Sequence, residues 1–100
     1  MDTQATNGVL LRDELIVLAQ SLESGFSLEE GEFNRVIEAK RVASRTADYD
    51  SWVICRAILK LDTAVRARVE GDIEAALMWE RRAQELYDLL PASARWGKTA

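Results

Sequence analysis

The stretch SWVICRAILKLDTAVRARVE, residues 51–70, decides the fold that we predict for this chain. Its apolar residues recur at helical spacing on two different sides. One side carries Ile54, Ala57, Ile58, Leu61 and Val65, and the other carries Trp52, Cys55 and Leu59. A helix with two apolar sides is normally surrounded by other helices. We therefore predict a central helix over 51–70, with Ile54, Ile58 and Leu61 almost fully buried.

Two helices are predicted ahead of this one. Leucines at helical spacing indicate a helix over 9–22, with Asn7 as its N-cap and Gly25 as its C-cap. The SLEE motif of residues 27–30 has the form of a capping box, in which the first serine and the last glutamate satisfy each other's backbone amides. It predicts a second helix that runs to about Arg45.

The rest of the chain completes an all-α prediction. Residues 46–51 form a polar connector that ends in an N-cap, either Asp50 or Ser51. A fourth helix over 73–90 stops at Pro91, with a core face of Ile73, Ala76, Leu77, Ala83, Tyr87 and Leu90. We predict a four-helix antiparallel bundle with short loops, in which the third helix is central.

One hundred residues correspond to a single domain. Residues 1–8 are polar and are predicted to be a flexible N-terminal lead-in. Residues 9–91 form the helical bundle domain, and residues 92–100 form a C-terminal tail.

The segment GDIEAALMWERRA, residues 71–83, resembles the second half of a tetratricopeptide repeat. In that family a Gly-Asp turn precedes two alanines at set positions, which Gly71, Ala76 and Ala83 match here. Small side chains at such positions imply a close antiparallel pair of helices. The positions one repeat earlier, 34 residues back, do not match, since they hold Ile37, Val42 and Tyr49. We interpret the segment as part of a single tight helical hairpin.

The composition argues against catalysis. The chain has no histidine, and Cys55 is its single cysteine. Ser-His and Cys-His nucleophilic pairs, ordinary zinc sites and carboxylate-histidine di-iron sites are therefore not expected. Cys55 lies in the most apolar helix and is interpreted as a core residue rather than a reactive thiol. We expect a protein that is not an enzyme and that needs no metal or cofactor.

The location expected from the sequence is the cytoplasm. A single cysteine cannot form a disulfide within the chain, which fits a reducing compartment. The first residues lack the features of a signal peptide, and no apolar run approaches the ~18 residues that span a bilayer. We expect no membrane association.

Acidic residues are concentrated in the first half of the chain. The formal net charge is −4, and the range from Asp13 to Glu32 contains acids but no base. Acids in the first turn of a helix also complement its macrodipole, so solubility and helix stability are a competing explanation. Our candidate partner-binding residues are Glu23, Glu29, Glu30, Glu32, Asp48, Asp50 and Trp96. Trp96 follows the proline, and it either folds back onto the bundle or serves as an anchor for a partner.

The leading hypothesis is a small acidic protein–protein interaction module. Its partner would carry a basic surface, such as a nucleic-acid-binding groove, and the protein would be an inhibitor encoded by a phage or mobile element, of the anti-CRISPR type. One alternative is a homodimeric structural or adaptor bundle. The other is a nucleic-acid binder, although direct binding is not expected of an acidic chain. Its basic residues would be Arg35, Lys40, Arg41 and Arg45.

Overall fold

The computed structural model describes residues 8–97, and within them it confirms an all-α bundle. The helices are α1 (Arg12–Glu23), α2 (Glu30–Arg45), α3 (Tyr49–Val69) and α4 (Ile73–Asp88), followed by a short 3-10 helix (Ala92–Ala94). α3 packs against the other three helices and is central, as predicted. No strand occurs in residues 8–97.

Carboxylates satisfy the first amides of the helices, and for α1, α2 and α3 they do so at positions other than those predicted. α2 is capped at Glu29 and not at Ser27, because the Glu29 N–H donates to the Glu32 carboxylate at 2.9 Å. α3 is capped by Asp48, which accepts from the Ser51 N–H at 3.2 Å, so Asp50 and Ser51 are already helical. α1 begins after Leu11, whereas the predicted cap Asn7 lies outside the described residues.

The two tight turns around the ends of α1 and α3 agree with the sequence. Gly25 and Gly71 have φ angles of 101° and 85°, which is the left-handed conformation that ends a helix without a Cβ penalty. Asp72 then caps α4, because its carboxylate accepts from the Ala75 N–H at 3.1 Å. The predicted hairpin of α3 and α4 is confirmed.

The core is built around the N-terminal half of α3. Ile54 and Ile58 are fully buried, as predicted, together with Cys55. They pack with apolar residues from the other helices, including Leu15 and Leu22 of α1 and Val36 and Ala39 of α2. The prediction for Leu61 was wrong, since this side chain is only half-buried. It lies where α3 borders an open cavity beside α4.

α4 is an edge helix that packs chiefly against α3. Ala76 and Ala83 are buried, and their small side chains allow α3 and α4 to approach closely. Ile73 and Leu77 were predicted to face the core but are exposed. Leu77 is about 100° around the helix from Ala76, because each residue advances 1/3.6 of a turn. That rotation points it past α3 into solvent.

Residues 92–97 fold back onto the helices. Trp96 is 5% exposed and Ala94 is also buried, so both belong to the core. The Trp96 indole N–H donates to the Glu23 carboxylate at 3.2 Å, and the Tyr87 hydroxyl donates to the Trp96 carbonyl at 2.5 Å. Trp96 therefore folds back onto the bundle, which is the first of the two alternatives predicted for it. The described part of the tail therefore contributes to the bundle.

Candidate functional site

The predicted acidic surface is divided between separate places in the fold. Glu29, Glu30 and Glu32 lie at the start of α2, whereas Asp48 and Asp50 lie beyond its other end. The sixteen residues of α2 separate these groups by about 24 Å at 1.5 Å per residue. Glu23 ends α1 at the α1–α2 connection, and its carboxylate is engaged with Trp96. The structure does not bring the predicted carboxylates together in one cluster.

Several of these carboxylates have structural partners. Glu23 accepts from Trp96, and Glu32 accepts from the N–H of Glu29, the N-cap residue of its own helix. Asp48 pairs with Arg12 at 3.0 Å and caps α3. Hydrogen bonding from Ser51, with a further contribution from the Arg12 charge, holds the pKa of Asp48 below its ordinary value of 3.8, although partial burial opposes this shift. Glu30 remains exposed at the surface.

The basic residues of α2 are also largely engaged within the chain. Arg41 and Arg45 each lie 3.7 Å from the Glu38 carboxylate, and Arg35 donates to the Gly8 carbonyl at 3.3 Å. Ion pairs of this kind reduce the positive potential that a phosphate backbone would meet. The geometry of α2 therefore does not favour the nucleic-acid alternative.

Cys55 lies in the core and not at a surface site. Its side chain is fully buried, and burial raises the pKa of its thiol to about 11. A thiol with this pKa is almost entirely protonated near neutral pH and is a poor nucleophile. Within residues 8–97 no group of three or more His, Cys, Asp or Glu side chains is arranged to hold a metal ion.

A groove between α3 and α4 combines cationic and apolar side chains. We call it the α3–α4 groove, and it has a volume of about 470 Å³. It is lined by Arg56 and Lys60 of α3 and by Met78, Trp79, Arg82, Glu85, Leu86 and Leu89 of α4. The long axis of the groove runs parallel to the two helices. Met78, Arg82, Glu85 and the C-cap residue Leu89 are spaced three or four residues apart, so they lie on one side of α4.

The cations of the α3–α4 groove have no carboxylate partner in residues 8–97. Arg56 lies over the Trp52 ring with 4.7 Å to the centroid, and Lys60 lies over the Trp79 ring with 5.1 Å to the centroid. Both distances suit a cation–π contact. Carboxylate-paired arginines are found elsewhere in the described chain, at Arg12, Arg41, Arg45, Arg66 and Arg68. The groove thus retains uncompensated positive charge.

Apart from buried Leu86, the apolar side chains that line the α3–α4 groove are accessible to solvent. Met78 is 40% exposed and Leu89 is 58% exposed, and Trp79 is half-buried between them and Lys60. They remain accessible because α4 is an edge helix with no further helix against its outer side. The sequence reasoning missed this site. Its only signal was the spacing of Met78, Arg82 and Leu89 along one helix stripe.

A second cavity, of about 250 Å³, lies among α1, α3, α4 and the tail. Its acidic lining residues already have partners, since Glu23 accepts from Trp96 and Glu80 pairs with Arg68 at 2.6 Å. The other Glu23 oxygen, Oε1, is buried without a hydrogen-bond partner among the described residues. The Glu23 bond holds the tail against α1, whereas the Glu80 ion pair joins α4 to α3.

Comparison of the chain with protein-family models, curated proteins and solved structures found no match. None of the helices in residues 8–97 has both the length and the apolar character needed to cross a membrane.

Proposed function

We propose that this protein is a non-enzymatic protein–protein interaction module that binds its partner through the α3–α4 groove. The observation that carries the proposal is the exposure of Met78 and Leu89 beside Trp79, bordered by Arg56, Lys60 and Arg82, which form no ion pair within residues 8–97. Interfaces are enriched in Met, aromatic residues and Arg relative to the rest of a protein surface. A cytoplasmic location is part of the proposal.

Photo-crosslinking at the groove tests this function directly. A photoreactive amino acid replaces Leu89 in the groove or, as the control, exposed Ser44 on α2. In a lysate of the native host, we expect a specific crosslinked protein from position 89 and none from position 44. The same product from both positions, or none from position 89, would contradict docking in the groove.

A second candidate is the inhibitor hypothesis, in which the acidic side binds the basic nucleic-acid-binding surface of a target, as an anti-CRISPR protein would. The range 13–32 has no base, and Asp13, Glu14, Glu29 and Glu30 are exposed. The double variant Asp13→Lys/Glu30→Lys raises the net charge from −4 to 0 and leaves the carboxylates that bond Trp96 and Arg12 in place. If this hypothesis holds, the variant slows association with the target and weakens its salt dependence.

A further inference from the structure

We propose that the occupant of the α3–α4 groove is an acidic amphipathic helix of the partner protein. This inference rests on the proposed function, because it names the partner chemistry of the same groove. It depends on the shape of the groove, on its charge and on the contacts that hold its cations.

The groove has the shape that a helix requires. It runs between two antiparallel helices, and its α4 stripe extends from Met78 to Leu89. Eleven residues of helix correspond to about 16 Å, which is three turns of a helix lying alongside. In helix-in-groove recognition the ligand inserts apolar residues spaced one or two turns apart. Met78, Trp79 and Leu89 provide the apolar floor for such a stripe.

The net positive charge of the groove lining favours a partner helix that carries carboxylates. Three cations and one carboxylate, Glu85, line it, although the whole protein carries a net charge of −4. Because these cations have no carboxylate partner within residues 8–97, pairing with a ligand breaks no ion pair in that part of the chain. The indoles of Trp52 and Trp79 also hold Arg56 and Lys60 in place, so less side-chain entropy is lost when they bind.

A single-stranded nucleic acid fits the same groove less well. Such ligands stack their bases on aromatic faces and run their phosphates along a basic track. Here Arg56 and Lys60 lie over the rings of Trp52 and Trp79, so stacking would require their displacement. Exposed Leu89 offers no partner to a phosphate.

The three tryptophans provide a built-in assay. Each tryptophan gives one indole N–H signal in a ¹H–¹⁵N NMR spectrum. The signal of Trp79 reports on the groove, and that of Trp52 reports on the Arg56 side of it. The signal of buried Trp96 serves as the internal control. The probe is a synthetic 18-residue helical peptide that carries a leucine stripe flanked by glutamates. We expect it to shift the Trp79 and Trp52 signals and to leave the Trp96 signal in place.

Three comparisons make the assay specific. The same peptide with lysines in place of the glutamates should bind at least about tenfold more weakly, since like charges would oppose it. Arg82→Glu should weaken binding of the glutamate peptide and strengthen binding of the lysine peptide. Arg81→Glu, an identical charge change on an exposed neighbour outside the groove, should alter neither. Circular dichroism of both variants verifies that they fold.

Several results would overturn the inference. These are equal binding of the two peptides, equal effects of the Arg81 and Arg82 variants, the same indole shifts with a thymidine oligonucleotide, or shifts that appear on concentrating the protein alone. If the glutamate peptide does not bind but position 89 still gives a specific crosslink, the acidic helix is rejected as the occupant and the proposed function stands. Loss of the crosslink rejects the function itself.

Discussion

The Asp62 carboxylate accepts a hydrogen bond of 2.8 Å from the backbone N–H of Leu28, 34 positions earlier in the chain. Arg66, one turn further along α3, donates to the other Asp62 oxygen at 2.9 Å and to the Leu28 carbonyl at 2.8 Å. Two side chains of α3 thereby satisfy both backbone groups of one residue in the α1–α2 connection. Asp62 is 3% exposed, so its bond to the Leu28 amide is shielded from water, whereas the Arg66 side chain remains about half exposed.

We expect the Asp62 bond to be important for stability. Asp62→Ala leaves the buried Leu28 amide without its partner and removes the ion pair of half-exposed Arg66, at a cost of about 2–4 kcal/mol in the free energy of unfolding. Asp62→Asn keeps an oxygen for Leu28 and should cost less, about 1–2 kcal/mol. Urea denaturation of both variants measures the difference. Equal losses would show that the Leu28 bond contributes little.

The burial of α3 predicts a contrast between two of its residues. Ile58 is fully buried, so Ile58→Ala should cost about 2–5 kcal/mol through the cavity it leaves. Leu61 is half-buried beside an open cavity, so Leu61→Ala should cost only about 1–2 kcal/mol. Urea denaturation of both variants tests which of the two loses more free energy of unfolding. A larger loss for Leu61 would contradict the described packing.

Cys55 should make stability depend on alkaline pH. Its folded pKa is raised from 9.0 to about 11, so the neutral thiol is favoured in the folded state. This contribution is complete below pH 9.0 and is lost as the pH rises through about 11. Because other groups also titrate there, the control is Cys55→Val. The wild type should lose stability relative to this variant above pH 9.0.

A thiol reagent provides an independent test of Cys55. Since the side chain is fully buried, modification of the native protein near neutral pH should be slow and should become fast in denaturant. Rapid modification of the folded protein would contradict the core position of Cys55.

The packed tail predicts a stability role for Trp96. Trp96→Ala removes the edge-to-face contact with Tyr87, at 4.7 Å between ring centroids, and the hydrogen bond to Glu23. We expect a loss of about 3–5 kcal/mol, as for other buried aromatic residues. The control Ser93→Ala, on an exposed residue of the same segment, should change stability by less than about 0.5 kcal/mol. An unaltered unfolding midpoint for Trp96→Ala would mean that the tail is not part of the core.

The site was far less predictable than the fold. The candidate carboxylates were chosen for their density in the chain, but α2 keeps the two groups at its opposite ends. The α3–α4 groove was missed because Arg56 and Lys60 belong to one helix and Met78, Arg82 and Leu89 to another. Their proximity depends on the rotation of α4 about its axis. That rotation is set by the close contact of Ala76 and Ala83 with α3.

The sequence by itself determined that residues 8–97 form four α-helices, that the third of these is central, and that the last two are joined by a tight Gly71 turn. These features depend on local periodicity and turn chemistry. Only the tertiary structure decided that Asp62 binds Leu28, that Trp96 packs beside Glu23, and that cations border an exposed apolar stripe. Such contacts join residues far apart in the chain, and helix spacing specifies which residues share a face but not which neighbour that face meets.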